Sequence, residues 1–222
     1  MLFDYPTKAR FGRKIPKSKL YENASANTKL KDKFVNQIEK IVWQYKLAPN
    51  TLNLDATNKV PEIQVFDIFL KTKEVDQTLL EVIDKAIPLP IIFQIHKGNK
   101  VKIKAAYKRP SESANNKWVI ESYFESEWLD KDVVKQPMPQ ALDLGKLYEQ
   151  LLKSLMPVDV ISSKTTQTID QQVDKINNIN SLQKELDKLN SKYKKEKQCN
   201  RQFEINKEIK LKQKELNHLT KA

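Results

Sequence analysis

The chain has 222 residues, 40 Lys/Arg against 28 Asp/Glu and a formal charge of +12, a length that fits one medium domain with an appendage or two small ones. Its single cysteine, Cys199, excludes an internal disulfide or a multi-cysteine zinc site; two distant histidines, His96 and His218, argue against a His-rich metal centre, and three glycines against a Gly-rich phosphate loop. No apolar run reaches the ~20 residues that cross a bilayer, and Met-Leu-Phe-Asp-Tyr-Pro lacks the apolar core of a signal peptide, so a soluble cytoplasmic protein without cofactor, metal or membrane contact is expected.

Residues 1–26 read as an irregular basic arm, with Lys8, Arg10, Arg13, Lys14, Lys17 and Lys19 punctuated by Pro6, Gly12 and Pro16. Asn27 is a good helix N-cap, and Leu30, Phe34, Ile38, Ile41, Val42 and Tyr45 follow helical spacing up to Pro49. Residues 62–71 are β-branched and aromatic on both faces, as in a central strand. Asp76 caps a short helix through Leu79, Leu80, Ile83 and Ile87, stopped by Pro88 and Pro90. Ile91–His96 and Val101–Lys108 flank a Gly98-Asn99 turn, a hairpin signal, with Lys102, Lys104 and Lys108 on one face of the second strand. After a polar loop at 110–116, a strand spans Lys117 to Glu125, then a proline-bearing connector leads to a helix with Leu144, Leu147, Tyr148, Leu151 and Leu155. Strands adjacent in sequence predict an α+β fold: a small antiparallel or mixed sheet with helices on one face.

The tail is the most distinctive segment. Ile169, Val173, Ile176, Ile179, Leu182, Leu186, Leu189 and Tyr193 recur at helical steps, and Ile205, Ile209, Leu216 and Leu219 form a second stripe. So thin a seam makes no core alone and must pack on another helix. The polar gap at 194–201 fits either the bend of a helical hairpin, with Asn200 near the second N-cap, or a solvated stretch of one continuous coiled-coil helix; the loss of heptad register across it favours the hairpin. The expected organisation is a basic arm at 1–26, an α+β domain at 27–157 and a coiled-coil or hairpin tail at 163–222.

Charge is placed at the ends. Residues 1–34 hold nine Lys/Arg and three Asp/Glu, residues 35–162 hold seventeen of each, and residues 163–222 hold fourteen and eight. Basic ends seek polyanions. The nucleic-acid candidates are Arg10, Arg13, Lys14, Lys17 and Lys19, which have no acid among them; Lys102, Lys104 and Lys108 instead oppose Glu121 and Glu125 across a strand pair. The partner-binding candidates are Ile176, Leu182, Leu186, Leu189, Ile209 and Leu216. A metal-dependent nuclease needs an Asp/Glu-x-Lys pair beside another acid; Glu62, Asp67 and Lys71 do not make one, and a solvated or capping role is expected for them. Trp43 falls in the first helix and Trp118 and Trp128 flank the last strand, where packing is the default role.

The phrases Lys14-Ile15-Pro16-Lys17-Ser18-Lys19-Leu20-Tyr21, Ile41-Val42-Trp43-Gln44-Tyr45-Lys46-Leu47-Ala48-Pro49, Ile83-Asp84-Lys85-Ala86-Ile87-Pro88 and Lys195-Glu196-Lys197-Gln198-Cys199-Asn200-Arg201 resemble those of one bacterial family of unknown function. The resemblance spans nearly the whole chain. It implies genes beside superfamily-2 helicases and DNA methyltransferases in restriction-like defence loci, and so an accessory subunit of a DNA-directed or antiphage assembly. The expected function is that of a non-catalytic subunit holding a protein partner through the tail and DNA through basic surfaces. The alternatives are a divergent metal-dependent nuclease of the same system and a homodimeric coiled-coil scaffold.

Overall fold

A computed structural model describes residues 2–23, 27–111, 118–157 and 167–221, and divides the chain into two compact units, 1–156 and 157–222. The loop expected at 110–116 falls outside the described residues beyond Ser111, as does the tail's beginning before Gln167.

In the first unit a seven-stranded mixed sheet is built from β2 (Arg10–Ile15), β3 (Ile38–Leu47), β4 (Ile63–Leu70), β5 (Ile91–Lys97), β6 (Lys100–Pro110) and β7 (Trp118–Glu125), in that spatial order, with β8 (Leu129–Asp130) also on β6. Every pairing is antiparallel except β4 with β5, which run parallel because helix α4 (Gln77–Ala86) carries the chain across. The short β1 (Phe3–Asp4) pairs in parallel with β9 (Gln136–Pro137), tying the N-terminus to the connector after β8.

Two sequence expectations fail here for one reason. The helix begun at Asn27, whose side chain accepts from the Leu30 amide at 2.9 Å, ends as α2 at Gln37, and Ile38–Leu47 is strand. The pattern Ile38, Ile41, Val42, Tyr45 suits a helical face, but Ile-Glu-Lys-Ile-Val-Trp-Gln-Tyr is β-branched and aromatic, and β3 has a ladder on each side. Trp43 therefore sits on a strand. One of those ladders is the supposed arm: residues 10–15 form edge strand β2, and Lys17–Asn23 form α1. The arm is part of the sheet. A bulge between Arg10 and Arg13 holds Gly12 at φ +66°, a left-handed backbone that glycine adopts without penalty.

Helices cover both faces, not one. Phe34 of α2, Leu20 of α1 and Leu79, Leu80 and Ile83 of α4 bury Ile41, Phe66, Ile68, Phe93 and Ile95 on one side. On the other, α5 (Leu144–Lys153), N-capped by Asp143 accepting from Lys146 N at 2.8 Å, brings Leu151 to Ile92, Ile103, Phe3 and Tyr5 around a small cavity. A short helical turn α3 (Pro49–Leu52) closes the bend after β3, with Asn53 left-handed at its end.

The second unit is a helical hairpin. Helix α6 (Ile169–Lys195) starts at a Thr168/Gln171 capping box, and α7 (Cys199–Lys221) follows after three residues. Glu196 makes the bend, accepting from the amides of Lys197 and Gln198 at 2.9 and 3.0 Å, and α7 begins one residue before Asn200. Leu186 packs with Ile205 and Ile209, Leu189 and Leu216 lie against them, and Lys212 pairs with Glu185, so the two helices run antiparallel. Among the described residues no helix is long and apolar enough to cross a membrane.

Candidate nucleic-acid interface

Among the described residues strand β2 has one ladder neighbour, β3, and its outer edge carries no ladder partner. Arg10, Gly12, Arg13 and Lys14 are exposed along it, and Lys19 is exposed on α1. The Gly12 bulge sets Phe11 against Trp43, ring centroids 4.2 Å apart, with the Arg13 guanidinium 4.9 Å from the Phe11 centroid. Among the described residues no carboxylate pairs with Arg10, Arg13, Lys14 or Lys19. Lys17 is different. Its ammonium donates to the Ile38 carbonyl at 2.8 Å, joining α1 to the start of β3, and burial with Lys71 and Lys14 nearby lowers its pKa. The sequence therefore named four surface cations and one joint.

The lysine face of β6 divides. Lys102 and Lys104 reach Glu125 at 3.1 and 2.7 Å, and their ammonium groups lie over Trp128 and Tyr123; although burial works the other way, these two lysines hold Glu125 below the usual carboxylate range. Their charge is spent within the fold. Glu121 pairs with Arg109 instead.

Lys108 is no surface residue. It keeps the strand's alternation, on the same face as Lys102 and Lys104, but α4 lies over that end of the face and leaves it 3% exposed. Its ammonium donates to the carbonyls of Asp84, Ile87 and Leu89 at 3.1, 3.2 and 2.8 Å and lies 2.6 Å from Asp84 Oδ1. The Tyr123 hydroxyl donates to Asp84 Oδ2 at 2.5 Å, and the Tyr148 hydroxyl donates to the Ala106 carbonyl and accepts from the Lys108 amide. Burial pushes the Asp84 carboxyl up and the Lys108 ammonium down, each opposed by the other. Sealed from solvent, this network joins α4, α5, β6 and β7, and its role is structural. Strand alternation groups Lys108 with Lys102 and Lys104, and only the packing of α4 over that end of the face separates them.

Glu62, Asp67 and Lys71 separate too. Glu62 pairs with Lys46 at 3.0 Å and accepts from Gln64, and the Lys71 ammonium donates to the Val35 carbonyl. Asp67 is neither solvated nor a cap: it is 7% exposed, beside His96 of β5. Among the described residues no group of three His, Cys, Asp or Glu could hold a metal.

Of the partner-binding candidates, Leu186 and Ile209, with Leu189 and Leu216, fill the hairpin's own seam, and Ile176 and Leu182 are buried on α6. The exposed apolar residues of the hairpin are others: Tyr193, Phe203 at 74% and Leu211 at 59%.

Fold and surface together define a class: an α+β protein with a mixed sheet, a cation-lined open edge and an appended helical hairpin. The chain belongs to the family described as a domain of unknown function (DUF4391), which matches residues 3–216 and so takes in sheet and hairpin alike. No curated protein and no solved structure matches it.

Proposed function

We propose that this protein is a non-catalytic, nucleic-acid-holding subunit of a DNA-processing or antiphage assembly. The β2–α1 edge lies along a phosphodiester backbone, and the outer face of the hairpin docks a protein partner. The observation that carries this reading is the row Arg10, Arg13, Lys14 and Lys19, exposed and, among the described residues, without a carboxylate partner, in contrast to the β6 lysines, whose charge is already matched. Unmatched cations on an open edge gain by displacing counterions from a polyanion. Phe11 and Arg13 at the same bulge supply planar surfaces beside that row. The partner class, implied by resemblance to a family neighbouring superfamily-2 helicases and DNA methyltransferases, is one of those enzymes, met through Phe203 and Leu211.

Fluorescence anisotropy of labelled duplex and single-stranded DNA against salt tests the nucleic-acid part. Changing Arg10, Arg13, Lys14 and Lys19 to Gln, and sparing Lys17 for its structural bond, lowers affinity for all sequences and flattens the log–log salt slope by roughly 2–4 units. An unchanged slope, or no binding by the unaltered chain at low salt, refutes it. Co-purification from the native host tests the partner, and loss of the partner on changing Phe203 and Leu211 to Ser is the expected result.

A further inference from the structure

From Lys188 to Phe203, around the bend between α6 and α7, stand six cations, Lys188, Lys192, Lys194, Lys195, Lys197 and Arg201, and one acid, Glu196. All six cations are exposed, and among the described residues none of them forms an ion pair. Glu196 is occupied with the bend itself. Its carboxylate accepts from the amides of Gln198 and Lys197, and those bonds, with Arg201 and Lys192 nearby, hold its pKa below the usual carboxylate range. Arg201 of α7 and Lys192 of α6 thus both stand near one carboxylate, so cations from the two helices converge at the bend.

Helix electrostatics accounts for part of this charge. Lys192, Lys194 and Lys195 lie in the last turn of α6, at the negative end of its dipole. The start of α7 is the reverse case: its first turn holds no acid, and Lys197 and Arg201 stand at the positive end, where cations are disfavoured. An anion at the bend removes that penalty. Lys188, Lys192 and Lys195, with Asp187, Ser191 and Glu196, line an open cleft along α6. Tyr193, flanked in sequence by Lys192 and Lys194, is 37% exposed. Cations around an exposed aromatic ring suit a single strand of nucleic acid, with phosphates on the ammonium groups and a base on the ring. We propose that the hairpin bend is a second nucleic-acid site, built from other residues than the β2–α1 edge, and that it takes one single strand. This site deepens the nucleic-acid reading, on which it rests, and leaves Phe203 and Leu211 to the protein partner.

Calorimetry at low salt counts the sites, using the full chain and a thymidine oligomer of about ten nucleotides, the length of a single site. Two oligomers per chain are expected for the parent. One is expected for the edge variant, with Arg10, Arg13, Lys14 and Lys19 changed to Gln, and one for a bend variant with Lys192, Lys194, Lys195, Lys197 and Arg201 changed to Gln. Helical ellipticity equal to the parent's shows the bend variant folded, and changing the same four lysines to Arg, which keeps the charge, keeps both sites. In the edge variant, where only the bend site remains, Tyr193→Leu preserves the apolar seam and weakens binding about five-fold or more. Two sites surviving in the bend variant, or an edge variant that binds nothing, overturns the proposal. An affinity untouched by Tyr193→Leu overturns the choice of a single strand. One site in the parent, lost in the bend variant and kept in the edge variant, would uphold this inference and sink the edge reading, so the two fail separately.

Discussion

Lys108 carries a full charge into the interior, and the fold surrounds it with three carbonyls and the Asp84 carboxylate. A buried pair of this kind contributes little net stability against an apolar substitute, but removing one member strands the other. Asp84→Ala is expected to destabilise the first unit by about 3–5 kcal/mol, read as a lower urea midpoint; a change under 1 kcal/mol would show that Lys108 finds water or loses its proton at no cost. Asp76 makes a residue-scale prediction of another sort. Hydrogen bonds from Lys33 and then Thr78 hold its carboxyl down at about 2. A depressed carboxylate stabilises the fold fully above its unfolded value of about 3.9, and that share is lost as pH falls through about 2. The site is partly solvated, so the effect is small. Asp76→Asn should be less stable than the parent at pH 6 and should narrow that gap between pH 4 and 2 in thermal melts. A gap constant across that range would place the effect in helix capping alone.

Elements show how context decides between periods. Asp76 begins a helix where an acid precedes an amphipathic run, legible because capping is local; the run after Asp143 was legible too, while its cap appears in the structure. Ile38–Leu47 was not, since its apolar residues satisfy a helical face and only pairing with β2 and β4 selects the strand. The hairpin lies between these cases: the register break announced a bend, and packing of Leu186 on Ile205 and Ile209 completes it. Each such side chain contributes roughly 1.5–3 kcal/mol by burial. Leu186→Asp is therefore expected to open the hairpin, with fast amide exchange through α7 and loss of helical ellipticity, while β4 and β5 keep their protection. Unchanged α7 protection would mean the helix is held by something other than this seam.

At the scale of the molecule, the two units differ in core. The sheet unit's cluster buries Phe34, Phe66, Phe93 and eleven aliphatic neighbours, while the hairpin cluster rests on Leu186, Ile205 and Ile209. Stability follows buried apolar surface, so the units are expected to open separately. Native-state hydrogen exchange should give two tiers, with β4, β5 and β6 at the global free energy and α6 and α7 well below it. Coincident melting by tryptophan fluorescence and helical ellipticity would contradict this, because Trp43, Trp118 and Trp128 all lie in the sheet unit. Charge follows the same division. The net positive charge that composition placed at the two ends belongs to a sheet edge at one end and a helical hairpin at the other.

The sequence by itself determined the α+β class, the central strand at 62–71, helices α4 and α5, the β5–β6 hairpin and the tail's helices, because capping, turn chemistry and apolar period are local properties. It also determined that Arg10, Arg13, Lys14 and Lys19 lack nearby acids. Only the tertiary structure decided that these cations sit on a sheet edge, that Lys17 is a joint, that Lys108 is buried opposite Asp84, and that Asp67 meets His96. Those pairs are 24 and 29 positions apart, and each forms between separate elements, Lys108 of β6 against Asp84 of α4 and Asp67 of β4 beside His96 of β5 across a parallel crossover. A shift of one residue turns a strand side chain to the opposite face, so composition and spacing alone leave such meetings open.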